Sequence, residues 1–165
     1  MLNAQIIPEG DSVFFSNWDG PDELPSPDEV REHYDVLDRH RAVVVRFIHL
    51  DLIVKYGPHI RAAEGQALWI IEHFTDVQAP TVYGWFQDGD EMFLYMSLVD
   101  GVTLERRWPE MSEEEKVDVS RQLQHMLASM RALPWNETYI GSSRSPFESV
   151  TLTEFSRIPW THSVP

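Results

Sequence analysis

Apolar positions along the chain repeat with two periods, and these define most of its elements. "AVVVRFI" (42–48) and "DLIVKY" (51–56) are β-branched runs separated by His49-Leu50, which predicts an antiparallel hairpin. "PTVYGWF" and "EMFLYMSLV" predict two more strands, over 81–87 and 92–98; they are joined by "QDGD", whose Asp-Gly step is a hairpin signal. Between the two pairs, Ile60, Ala63, Ala67, Leu68 and Ile71 follow helical spacing and predict a helix over 59–74. If Leu68 and Ile71 of that helix are core, Trp69 or Ile70 should be partly exposed. Ahead of the first pair, Pro27 before Asp28-Glu29 opens a short helix, "DEVREHYDVL". After the second pair, Ser112 and Glu115 form a capping box. The long helix behind it carries Val119, Leu123, Met126, Met130 and Leu133 on one face and is ended by Pro134.

The flanks have no such pattern. Residues 1–28 read as irregular, with "DGPDELPSPDE" as an acidic, proline-rich loop, and residues 136–165 show no clear period. The order is helix, two strands, helix, two strands, connector, long helix. This predicts an α+β fold: a mainly antiparallel sheet with helices on one side and a long C-terminal helix. A single domain is expected over 1–165, with an irregular segment (1–28), a lobe with its connector helix (29–135) and an irregular tail (136–165).

Composition narrows the function classes. Lys plus Arg number 13 against 27 Asp plus Glu, a formal charge of -14. Such a surface repels phosphate backbones and anionic lipid, so neither nucleic acid nor membrane is an expected partner. There is no cysteine, which excludes disulfides, thiolate metal sites and thiol nucleophiles. The seven histidines are scattered without metal-ligand spacing, so no metal and no cofactor are expected. "MLNAQIIPEGDS" has no basic n-region and no long apolar core, and a soluble, cytoplasmic protein is expected.

"VKYG…EG", followed by "APTVYGWF" and "YMSLVDGVTLERRWPEMSEEEK", is specific as a set, and "LPSPDEVRE", "EGQALWIIEHF" and "MRALPWNETYIGS" lie in matching order around it. Over residues 24 to 142 the chain resembles the N-terminal lobe of the aminoglycoside-phosphotransferase-like kinases, in particular their fungal branch. The resemblance implies a kinase-like N-lobe. In it, Lys55 would contact nucleotide phosphates and Glu64 would pair with that lysine. Met96, Ser97, Leu98 and Val99 would form the adenine hinge, with Gly101 and Leu104 in the turn after it.

The departures from that pattern matter as much. The family's H-G-D loop with its base aspartate, the asparagine after it and the later metal-binding aspartate have no counterpart in these residues. The two His-x-Asp steps, His33-Tyr34-Asp35 and His49-Leu50-Asp51, both precede the lysine, and no asparagine follows either before Asn136. "RFIHLDLI" contains no glycine, so no Gly-rich phosphate loop precedes Lys55 either. Phosphoryl transfer depends on positioned carboxylates and metal, so an N-lobe truncated in this way is not expected to be an active kinase.

Three functions are weighed on these grounds. The first is a cofactor-free cyclase or isomerase, pericyclase-like, of fungal secondary metabolism, acting on a hydrophobic substrate by orientation and proton movement. Its candidate catalytic residues are Lys55, Glu64 and His59, and its candidate substrate-binding residues are Arg46, Tyr56, Trp85, Tyr95, Met96 and Leu98. The second is a pseudokinase-like binding or regulatory module. The third is a fragment of a longer kinase of this family. Lys55 and Glu64 read equally as a structural ion pair, and His59 as an exposed residue at a helix start. An N-lobe sheet without a second lobe needs a cover for its concave face. The tail (Phe147, Val150, Leu152, Phe155, Trp160), a homodimer partner or a hydrophobic small molecule could each supply it.

Overall fold

In the computed structural model the two β-branched runs form a hairpin within a six-stranded sheet. The structure describes residues 7–15, 17–20, 23–38, 42–133 and 159–160. The chain divides into two compact units: Asn3–Phe74 with Gln78–Leu98, a sheet unit, and Met1–Leu2 with Thr75–Val77 and Val99–Pro165, a helical unit. The fold is α+β.

The sheet unit contains β1 (Ser12–Phe14), α1 (Pro27–Glu32), β2 (Val36–Asp38), β3 (Val43–Phe47), β4 (Leu52–Gly57), α2 (Ala62–Phe74), β5 (Val82–Asp88) and β6 (Glu91–Ser97). Its strand order is β1-β5-β6-β4-β3-β2, with every neighbouring pair antiparallel. β3 and β4 are joined by a 3-10 turn, Ile48–Leu50, that ends on Asp51 in the left-handed conformation at φ 48°. Aspartate tolerates that region better than most residues. β5 and β6 turn at Gly89, φ +59°, where an added Cβ would meet nothing within 4 Å. There the glycine answers a backbone need alone.

Successive residues of a strand face opposite sides, so the register sorts the sheet into two faces. On one face Val45, Val54 and Tyr95 form one row and Val43, Tyr56, Phe93 and Phe86 another. With Phe47, Leu50, Leu52 and Val30 of α1 they make one apolar cluster, edged by Trp18 and Leu24. On the other face Val44, Lys55, Leu94 and Trp85 share a row, and Arg46, Ile53, Met96 and Val82 the next. Here Ile60, Trp85, Leu94, Met96, Val82 and Met92 form a second cluster, with Ala62 and Leu68 from the α2 region packed on it.

The structure corrects several expectations. Helices lie on both faces, not on one: α1 contributes to the first cluster and α2 to the second. The short helix stops at Glu32, because His33 turns extended (ψ 137°), and Val36–Asp38 becomes edge strand β2 against β3. Sheet pairing there overrides the continued helical reading. The N-terminal segment contributes strand β1, paired with β5. α2 begins at Ala62, three residues after the expected start at His59, and it buries Gly65, Ile70 and Ile71 while Ala67 is exposed. Trp69 is half-buried, so it is the partly exposed member of the Trp69/Ile70 pair.

The helical unit contains β7 (Val102–Thr103), α3 (Leu104–Arg107), a 3-10 turn (Trp108–Glu110), α4 (Glu113–Arg131) and β8 (Pro159–Trp160), with β7 and β8 antiparallel. The capping box forms as expected: Ser112 Oγ accepts from the Glu115 N–H at 3.2 Å, and Glu115 accepts from the Ser112 N–H at 2.7 Å. α4 ends at Arg131, and Leu133 beyond it is buried. Pro134 and the tail residues Phe147, Val150, Leu152 and Phe155 lie outside the described residues.

Candidate functional site

Lys55 and Glu64 meet. Lys55 sits in β4 with odd parity, on the α2 side of the sheet, while its neighbours Val54 and Tyr56 point into the other cluster. Gly57, at φ +141°, lets the chain leave the strand, and Pro58 to Arg61 turn it into α2. Glu64 falls in the first turn, where the helix dipole favours a carboxylate. Lys55 Nζ donates to Glu64 Oε1 at 2.5 Å, and the two side chains are 22% and 34% exposed. The pair is therefore a short, charge-assisted bond at a half-open position, reachable by solvent and by a ligand. Val44, beside Lys55 in register, and Ile53, two residues before it on the same face, are also half-buried. The pair thus borders an incompletely covered apolar strip.

The other residues singled out by sequence distribute unevenly around this pair. Arg46 lies on the same face by parity and holds Asp35 in a two-pronged contact at 3.0 and 3.1 Å. Met96 is on that face and buried between Ile53 and Val82 in register. Trp85 shares the row of Lys55 but is fully buried beneath α2. Its indole N–H donates to the Gly10 carbonyl at 2.8 Å. Leu98 follows β6, and its N–H donates to the Asp51 carbonyl at 2.7 Å. His59 is exposed in the turn before α2 and takes no part in the hydrogen bond between Lys55 and Glu64. Tyr56 and Tyr95 lie on the opposite face. Tyr56 stacks on Phe93 with ring centroids 4.8 Å apart. Burial pushes the Tyr95 phenol above its ordinary value, which keeps it neutral.

Two features of this region were missed in the sequence. One is Gly65, next to Glu64: a Cβ there would come within 2.5 Å of Trp85 Cε3 and 3.1 Å of Leu94 Cδ1. A glycine inside a helical pattern costs about 1 kcal/mol relative to alanine, which should have flagged a packing reason. The other is the contact of residues 8–15 with α2 and β5, for which no local sequence signal exists. It comes from partners more than fifty residues away in the chain.

The helical unit holds a second polar cluster. Asp76 accepts from Ser129 Oγ at 2.6 Å and from His125 Nε2 at 2.9 Å, which holds its carboxyl below the ordinary value. The carboxylate lies between the hydroxyl and the imidazole, so neither hydrogen bond prepares Ser129 as a nucleophile. Among the described residues no group of three or more His, Cys, Asp or Glu could hold a metal ion, and no helix is long and apolar enough to cross a membrane.

No family model matches the chain, and comparison with curated proteins and with solved structures found nothing similar to it.

Proposed function

We propose that this chain is a kinase-like binding module that engages a small molecule at Lys55 and Glu64 and does not itself transfer phosphate. The observation that carries the reading is the 2.5 Å pair, half-open on the α2 face of the sheet. It is supported by the apolar strip of Val44 and Ile53 beside the pair, since small-molecule sites combine apolar lining with a few placed polar groups. The absence from these 165 residues of the base and metal-binding motifs of the kinases it resembles argues for binding over phosphoryl transfer. A cytoplasmic location goes with this reading, and an occupant of the open strip would be a hydrophobic small molecule or a second copy of the chain.

The cofactor-free cyclase or isomerase remains the second reading, favoured by one observation: an ionisable pair directly beside half-buried aliphatic side chains. Trp85, Tyr56, Tyr95 and Met96 are taken up by core packing, which leaves that reaction fewer groups to shape a substrate.

Calorimetric titration with a non-hydrolysable ATP analogue and with a panel of apolar carbonyl compounds tests the proposal. Binding to the native chain that disappears in Lys55→Met and Glu64→Gln supports it. Failure of every compound to bind, or equal binding by both variants, refutes it. Conversion of a bound carbonyl compound to a new product would move the conclusion to the second reading.

A further inference from the structure

We propose that residues 8–15 are a strap that positions the N-terminal half of α2 and thereby holds Glu64 on Lys55. The need for such a device follows from how α2 is packed. Its buried residues are Gly65, Ile70 and Ile71. Two large aliphatic side chains anchor the C-terminal half. In the half that carries Glu64 the fully buried residue is a glycine, which has no side chain to hold anything, and the side chains that pack on the cluster there, Ala62 and Leu68, stay partly exposed. Gly65 instead rests its backbone on the Trp85 ring, so the position of that ring sets how close Glu64 comes to the sheet.

The strap fixes both members of this contact. The Gly10 carbonyl accepts from Trp85 Nε1 at 2.8 Å, beneath the helix. The Pro8 carbonyl accepts from Gln66 Nε2 at 2.8 Å, on the helix itself, one residue beyond Gly65. Phe15 packs edge-on against Trp85, with centroids 5.7 Å apart, and stacks on Trp69 of α2 at 6.4 Å. β1, between these contacts, is tied to β5 through the pairing of Val13 with Trp85. One eight-residue segment therefore touches the sheet below the helix and two side chains of the helix, Gln66 and Trp69, within four residues after the glycine. Loss of its grip frees the first turns of α2 and leaves the core clusters in place. Gln66 and Phe15 are positioning residues in this scheme. Their importance for binding rests on the function proposed above, but their effect on the pair is measurable without any ligand, so either idea can fail alone.

Lysine reactivity provides the readout. The chain has two lysines, Lys55 in the sheet unit and Lys116 in α4, so amine labelling followed by peptide mass spectrometry gives a ratio with an internal reference. Glu64→Gln sets the ratio for a broken pair. Gln66→Ala keeps a good helix former and removes the Pro8 contact; Phe15→Ala removes the aromatic one. In each, the Lys55 to Lys116 ratio should rise toward the Glu64→Gln value, by roughly fivefold, the change that one ordinary hydrogen bond is worth. Amide exchange should quicken over 62–68 and stay unchanged over 92–96. An unchanged ratio in folded variants overturns the proposal. A rise at both lysines with faster exchange throughout the sheet also overturns it, because the segment would then support the whole unit and not the helix. If Phe15→Ala does not fold, Gln66→Ala decides alone.

Discussion

The two faces of the sheet solve the same problem to different extents. The face of Tyr56, Phe93 and Tyr95 is closed: α1 supplies Val30, the preceding loop supplies Trp18 and Leu24, and Val45, Val54 and Phe93 are wholly inaccessible. Arg31 fastens α1 there, with Asp88 at 2.6 Å, Glu91 at 3.0 Å and the Phe93 ring 4.9 Å beneath its guanidinium. The α2 face is closed over Trp85 and Leu94 and stays half-open over Val44, Ile53 and Lys55. Among the described residues the first face buries nine in its cluster and the second six. The second combines a packed half, which orients Glu64, with an open half, where a ligand can reach Lys55. A face that is only partly covered is where binding chemistry can be placed without dismantling the core.

Four substitutions or conditions would sharpen or break this contrast. The largest effect is expected from Phe93→Ala on the closed face: a loss of about 3–5 kcal/mol in chemical denaturation, the usual cost of emptying a buried aromatic site. Its refolded native state should keep the wild-type Lys55 labelling ratio. A change in that ratio would mean the two faces are not separable.

Gly65→Ala is expected to cost about 1–3 kcal/mol, as overpacking does, because the new methyl meets the Trp85 ring. Here the labelling of Lys55 should increase. A variant that is as stable as the native chain and labels no faster would show that Trp85 yields easily and does not set the helix position.

Alkaline titration separates the faces by charge. Tyr95 has its phenol raised by burial on the closed face. Both folded and unfolded chains hold that proton below the unfolded value of about 10, so stability is unaffected there; above it the unfolded chain releases the proton first, and stability falls by up to about 1.4 kcal/mol per pH unit until the folded phenol ionises. Melting temperatures of Tyr95→Phe measured from pH 8 to 11 should lack this share of the decline; a decline equal to that of the native chain would place its cause elsewhere.

The smallest stability effect belongs to the site itself. Lys55→Met and Glu64→Gln should each change unfolding free energy by about 0–1 kcal/mol, as for a partly exposed ion pair. Ligand binding should nonetheless be lost in both. A loss of several kcal/mol in either melt would make the pair a structural element and remove the case for a binding site.

Much of this was legible in the sequence. The hairpins β3–β4 and β5–β6, the capped α4, and the approach of Glu64 to Lys55 all follow from local signals: β-branched runs, an Asp-Gly turn, a Ser-x-x-Glu box, and a lysine leaving a strand nine residues before a helix glutamate. Strand parity also placed Lys55 opposite Val54 and Tyr56. These features depend on neighbours within one or two turns or strands, so the residues themselves determine them. The tertiary structure decided what depends on distant partners. Val36–Asp38 left the helical pattern because β3 offered it a ladder, and Ser12–Phe14 became a strand because β5 had a free edge. Tyr56, Trp85 and Tyr95, all read as substrate-binding, are buried on three rows of two faces. Burial is a property of what lies across from a residue, and short segments with weak intrinsic preference take the conformation that their long-range partners reward. Gly65 shows the same division: the sequence contains the glycine, and only the Trp85 ring against it explains why no side chain fits there.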